Sequence, residues 1–210
     1  DASTAELAVG LAIASRRGFP EFMREQIAGR WSHHRTSALS DSKIGIIGYG
    51  SIGKKIAKNL SGFEVSITAF TQSGRDGSLT IDQLDAHLPE LDIIILILPL
   101  SDSSRHLFNA KRIAAMKDGA LLINVARGLV VETDALVKEL NSGRIFAALD
   151  VTDPEPLPAG HPLWSAKNLL LVPHVGGNSD AFEPRGRALV ESQLQLLAAG
   201  APLEHVVAQG

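Results

Sequence analysis

The chain has 210 residues, 45% of them hydrophobic and 20% charged, with a formal net charge of −3. Those proportions describe one large folded domain, or one domain with an appendage, and they exclude both disorder and a basic footprint for nucleic acid or an acidic membrane surface. The sequence contains no cysteine, which excludes disulfides, thiolate catalysis and Cys-ligated zinc and fits a cytoplasmic setting.

In chain order, Ala5, Ala8, Val9, Ala12 and Ile13 recur at helical spacing behind Ser3 and Thr4, which predicts an amphipathic helix over 4–16. A shorter helix is expected over 19–27. The chain opens on Asp1 rather than Met and enters this helical pattern at once, which leads us to expect that upstream material has been removed. After the polar stretch 36–42, apolar runs alternate with helical stretches, the beat of a parallel α/β sheet. The runs are 44–47, 65–70, 93–98, 120–124, 145–149 and 169–172, giving six expected strands. None is long enough to cross a bilayer, and no signal segment opens the chain, so no membrane association is expected.

Between the strands, helices are predicted over 52–60, 80–87, 110–116 and 133–141, with Asn109 and Thr133 as caps and Gly143 as a stop. A last helix is expected over 179–199, ended by Gly200 and Pro202. The fold class that follows is α/β, a doubly wound parallel sheet, since parallel strands need both faces covered.

Gly48, Gly50 and Gly53 stand directly after the first run and at the mouth of a helix. In that setting a G-x-G-x-x-G pattern makes a dinucleotide loop. The first glycine turns, the second admits a pyrophosphate and the third lets helix and strand pack, while the helix N-terminus attracts the anion. Tyr49, Ser51 and Ile52 share the loop and are expected beside the cofactor. An acid normally ends the second strand to bind the ribose hydroxyls; here Thr71 takes that place, followed by Ser73 and Arg75. An acid would repel a 2′-phosphate, whereas these three side chains offer donors to one, so the cofactor reading is NADP or NAD with NADP favoured.

Ligands of such sheets bind beyond the carboxyl ends of the strands. That rule selects Leu98 and Pro99, then Val125, Ala126 and Arg127, then Asp150 and Glu155, then His174 and Gly176. The set suits reduction of a 2-keto acid. His174 would protonate the developing alkoxide, Glu155 would fix the imidazole tautomer and favour its charged form, and Arg127 would clamp the substrate carboxylate. Asp150 would hold the nicotinamide amide or cap a turn. His33, His34 and His161 lack a second metal-type cluster, so no metal is expected.

Thr4-Ala-Glu-Leu-Ala, Ser15-Arg-Arg, Gly29-Arg-Trp, Leu98-Pro-Leu-Ser-Asp-Ser-Ser-Arg-His-Leu-Phe-Asn, Leu122-Ile-Asn-Val-Ala-Arg-Gly, Ala148-Leu-Asp-Val-Thr-Asp-Pro-Glu-Pro and Val172-Pro-His-Val-Gly-Gly occur in this order. Together they resemble the D-2-hydroxyacid dehydrogenases, the group that includes glyoxylate/hydroxypyruvate reductase and phosphoglycerate dehydrogenase. The resemblance implies a Rossmann domain, with Arg127 as the substrate-binding residue, His174 as acid/base, Glu155 as its partner and Asp150 as the nicotinamide-contacting acid. It also implies a homodimer formed through the N-terminal helices, and a small 2-keto or 2-hydroxy acid as substrate.

By the same resemblance, residues 1–178 form the dinucleotide-binding domain with its linking helices. Residues 179–210 form a C-terminal helix and tail that would pack on a substrate domain absent from this chain. Two departures stand out: Thr71 replaces the ribose-binding acid, and the absent domain leaves turnover by this chain alone in question. Two rival functions share the scaffold: a noncatalytic dinucleotide-sensing dimerisation module, and a dehydrogenase for formate or phosphite. Retention of Arg127, Glu155 and His174 together argues against the sensor.

Overall fold

The computed structural model describes residues 1–204 and 206. Helices α1 (Ala2–Arg16) and α2 (Phe19–Ile27) lead into strand β1 (Lys43–Ile47), helix α3 (Ser51–Leu60), and strands β2 (Ser66–Thr71) and β3 (Leu79–Thr80). Then come α4 (Leu84–His87), β4 (Ile93–Leu96), α5 (Ala110–Ala115), β5 (Leu121–Asn124), α6 (Thr133–Asn141), β6 (Phe146–Leu149), β7 (Leu169–Leu171) and α7 (Phe182–Ala198). All strand pairs are parallel, in the order β3-β2-β1-β4-β5-β6-β7.

The apolar runs work because strand side chains alternate between faces. Ile44, Ile46, Ile93, Ile95, Leu121 and Ile123 enter one core with α1 and α3, through Ala5, Ala8, Leu11, Ile56 and Leu60. Their neighbours Ile47, Ile94, Leu96 and Leu122 enter the other core with Leu84, Ile113, Leu136 and Leu140. Each fully buried Ile or Leu contributes about 1.5–3 kcal/mol, so a run apolar at every position is worth more between two helical layers than on a one-sided sheet.

Chain order reverses at β1. The first crossovers run outward to β2 and β3, and the rest run the other way from β4 to β7. That reversal opens a crevice at the carboxyl ends of β1 and β4.

Four expectations are corrected. The sheet has seven strands rather than six, because the two-residue β3 pairs with the end of β2; so short a strand exists only through its partner and leaves no period to read. The helix expected over 80–87 is a 3-10 turn, Ile81–Gln83, followed by α4. Thr133 does not cap α6; Glu132 holds that position, and the Thr133 hydroxyl donates instead to the Asp153 carbonyl at 3.1 Å. Helix α7 begins at Phe182, not at 179. Asn109 caps α5 as expected, its Oδ1 accepting from the Arg112 N–H at 3.1 Å. No described helix is long and apolar enough to cross a membrane.

Candidate active site

The glycine loop is fixed by what surrounds it. A Cβ on Gly48, whose φ is 105°, would lie 2.2 Å from the Ile97 carbonyl, and one on Gly53 would lie 2.2 Å from the Gly48 carbonyl. Only glycine fits either place. At Gly50 a Cβ would meet nothing within 4 Å. Two glycines are thus sealed by packing, while the third faces open space, as a backbone that must approach a pyrophosphate requires. Gly50 is also the N-cap of α3, where no side chain caps the free N–H groups of the first turn. This chain's residues therefore fit a dinucleotide.

A cleft of about 420 Å³ runs from this loop across the carboxyl ends of the strands. Gly50, Ser51, Ile52 and Gly53 of the glycine loop line it, together with Leu98, Pro99, Val125, Ala126, Arg127, Asp150, His174 and Gly176 from the strand ends. Gly48 and Tyr49, also expected beside the cofactor, do not line it; Gly48 abuts the Ile97 backbone and Tyr49 packs on the core on the α1 side. Ile97, Gly177 and Thr4 also line the cleft and were not anticipated. Thr4 comes from α1, far away in sequence, and its hydroxyl donates to the Gly176 carbonyl at 3.1 Å; no local pattern marks such a contact.

Each catalytic candidate is held by its strand end. At the end of β5, buried Asn124 brackets the next loop: Oδ1 accepts from the Ala126 N–H at 3.0 Å and Nδ2 donates to the Arg127 carbonyl at 2.9 Å. The Arg127 guanidinium donates to the Ala126 carbonyl at 2.6 Å, and among the described residues no carboxylate pairs with it. Arg127 lines the cleft, and a guanidinium with no carboxylate partner suits the capture of a ligand carboxylate. A Cβ on Gly128 would lie 1.9 Å from the Thr152 carbonyl, so the Arg127 loop is pressed against the loop that carries Glu155.

Asp150, at the end of β6, is 3% exposed. Its Oδ1 accepts from the Val175 N–H at 2.6 Å, its Oδ2 from the Gly176 N–H at 3.0 Å, and its carbonyl from the His174 N–H at 2.7 Å. The turn-capping role is therefore filled, and it fixes His174, which sits in the left-handed region with φ of 51°. His174 Nδ1 and Glu155 Oε1 are hydrogen-bonded, the ring donating to the carboxylate. That bond leaves Nε2 as the nitrogen free to serve the cleft.

Glu155 does not line the cleft itself. It lines an adjoining apolar cavity with Leu157, Trp164 and Pro173 and reaches the cleft through His174.

The loop after β2 departs from expectation. The Ser78 hydroxyl donates to the Arg75 carbonyl at 2.6 Å, so in its 2.7 Å contact with Thr71 the Thr71 hydroxyl is the donor. Thr71 also accepts from the Gly74 N–H at 3.0 Å. A hydroxyl has one proton, so Thr71 has none left for a phosphate and instead braces the loop. Ser73 and Arg75 remain exposed. Lys54 donates to Asp76 at 2.8 Å, and that hydrogen bond holds the Asp76 carboxyl below the usual carboxylate range.

A doubly wound sheet, a ligand-ready glycine loop and a cleft with an Arg and a His–Glu pair define a nicotinamide-dinucleotide domain of dehydrogenase type. The chain belongs to the D-isomer specific 2-hydroxyacid dehydrogenases: residues 9–176 match the model of that family's NAD binding domain. It is 38% identical to a glyoxylate reductase of Thermofilum pendens, over 93% of this chain and 61% of that protein. A D-isomer specific 2-hydroxyacid dehydrogenase of Xanthobacter autotrophicus, solved with NADPH, is similar at 31% identity and a TM-score of 0.83, covering 98% of this chain and 87% of that one. An NAD-dependent formate dehydrogenase of Staphylococcus aureus, solved with NAD, is 29% identical with a TM-score of 0.83, covering 100% of this chain and 66% of that one. The chain thus spans about three fifths of the length of the glyoxylate reductase it matches.

Proposed function

We propose that this chain is the cofactor-binding and catalytic portion of an oxidoreductase that transfers hydride between NADP or NAD and a small 2-keto or 2-hydroxy acid. One observation carries the reading: His174 is hydrogen-bonded to Glu155 at the rim of the cleft that Arg127 and the glycine loop share.

When bound, the reduced nicotinamide supplies the hydride. The planar guanidinium of Arg127 binds the substrate carboxylate and turns the carbonyl toward His174. His174, protonated on both nitrogens, releases the Nε2 proton to the carbonyl oxygen as negative charge develops there. Glu155 accepts from Nδ1 throughout, holding the ring in place and balancing its charge while it is protonated. In oxidation of the 2-hydroxy acid the same proton returns to Nε2.

The NADP preference rests on the missing ribose acid and on Ser73 and Arg75, the structure having engaged Thr71 elsewhere. The homodimer is supported by Phe19, Met23, Ile27 and Trp31, which recur every fourth residue along and just past α2 and are 50–95% exposed, an apolar stripe that a second copy would cover. The division at 178/179 is supported by α7, which buries no side chain and exposes Leu189, Leu194 and Leu197, a face suited to a substrate domain outside these residues. The substrate class is tested by assaying the full-length gene product with glyoxylate, hydroxypyruvate, pyruvate, formate and phosphite. Turnover of a keto acid is expected; no turnover of any of them would refute the reading.

A further inference from the structure

Outside the cleft lining, an ion pair joins the two segments that flank the adenosine end of a dinucleotide. Lys54 follows Gly53 in the first turn of α3, and Asp76 lies in the loop after β2. In doubly wound domains the glycine loop holds the pyrophosphate and the end of the second strand reads the ribose 2′ position, so this pair bridges the two. Asp76 reaches Lys54 because the loop doubles back: Gly74, Asp76 and Gly77 have φ of 66°, 56° and 75°. The Thr71–Ser78 hydroxyl pair closes the base of that loop at 2.7 Å. The loop is thus built to present a carboxylate, though not at the strand end where a ribose-binding acid stands.

We propose that Lys54 is a further cation, beside Arg75, that receives the 2′-phosphate of NADP, and that Asp76 is a resident anion which this phosphate displaces from it. The proposal rests on the NADP reading above. Both side chains are about half exposed, at 51% and 48%, and an exposed ion pair is weak enough to open on binding. A phosphate monoester carries about −1.5 to −2 charges near neutral pH against −1 for the carboxylate, so it wins the exchange at Lys54. The ribose hydroxyl of NAD brings no charge and leaves the pair closed. Asp76 therefore weakens NADP binding below what Lys54 alone would give, and leaves NAD binding unaffected.

The test is the dissociation constant of NADPH and of NADH, read by fluorescence titration of the chain, its Asp76→Asn and Lys54→Met variants and the double variant. Asp76→Asn should tighten NADPH about threefold, with NADH changing by less than about twofold. Lys54→Met should weaken NADPH about tenfold, and in that background the gain from Asp76→Asn should vanish. If Asp76→Asn weakens NADH and spares NADPH, Asp76 is a ribose-binding acid and the exchange is wrong; unchanged constants in every variant overturn it equally. If the unmodified chain binds NADH more tightly while Asp76→Asn still tightens NADPH selectively, the exchange stands and the NADP preference falls.

Discussion

The two edges of the sheet are made of the same strands and are charged in opposite manners. At the N-terminal edge Lys43, Asp92, Lys117 and Arg144 are all held in ion pairs. Asp92 accepts from the Lys43 N–H at 2.9 Å and from Lys117 at 2.6 Å, and Lys43 Nζ meets Glu90 at 2.8 Å. Arg144 meets Glu139 at 2.6 Å and the carbonyls of Met116 and Ile113 at 2.6 and 2.7 Å. At the C-terminal edge Arg127 has no carboxylate partner among the described residues, and His174 uses one nitrogen and keeps the other. One edge spends its polar groups on the fold; the other holds them in place with bonding capacity left over for a ligand.

Substitution at each edge should separate function from stability. The largest effect is expected at His174. His174→Gln in the full-length protein should reduce keto-acid turnover about a thousandfold, the range of general acid catalysis, with the cofactor dissociation constant nearly unchanged. Steady-state kinetics and a binding titration check it, and loss of cofactor affinity in proportion to turnover would show a misfolded edge instead.

Next comes Gly128→Ala. The added carbon would fall on backbone, 1.9 Å from the Thr152 carbonyl, costing about 3 kcal/mol and lowering the melting temperature by roughly 6–12 °C. Gly50→Ala sharpens the contrast: with open space around it, this variant should melt like the parent and lose cofactor affinity. A Gly50→Ala protein with intact affinity would remove the loop from the site.

The smallest effect belongs to the N-terminal edge. Burial pushes the Asp92 carboxyl up, but hydrogen bonds from Lys117 and the Lys43 N–H, with the charges of Lys117 and Arg16, outweigh it and hold Asp92 below the usual carboxylate range. A depressed carboxylate stabilises the fold above its unfolded value, near pH 4, and that contribution is lost as pH falls through the lower folded value. Asp92→Asn should therefore cost about 1 kcal/mol at pH 7 and leave activity alone. Melting curves below pH 4 should converge on the parent; a constant gap down to pH 2 would contradict this.

What could be read from sequence was what neighbours along the chain decide. The runs through Ile44, Ile93 and Leu121 announce buried parallel strands because both faces need apolar cover, and Gly48, Gly50 and Gly53 are legible because strand and helix flank them. Arg127, Asp150 and His174 followed from one topological rule applied to strand ends. What was hidden depends on atoms distant in sequence. Thr71 reads as a free donor in sequence but Ser78 takes its proton, Thr133 reads as a cap but tethers the Asp153 carbonyl, and β3 exists only because β2 pairs with it. The reach of Thr4 from α1 into the cleft belongs to the same class.

If His174 and Glu155 work as one unit, a double-mutant cycle in turnover will show it. Glu155→Gln should cost about ten- to a hundredfold in the parent and almost nothing further once His174 is Gln, because groups that work together fail together. Losses that simply multiply in the double variant would mean that the two side chains act independently, and the proposed proton path would be wrong.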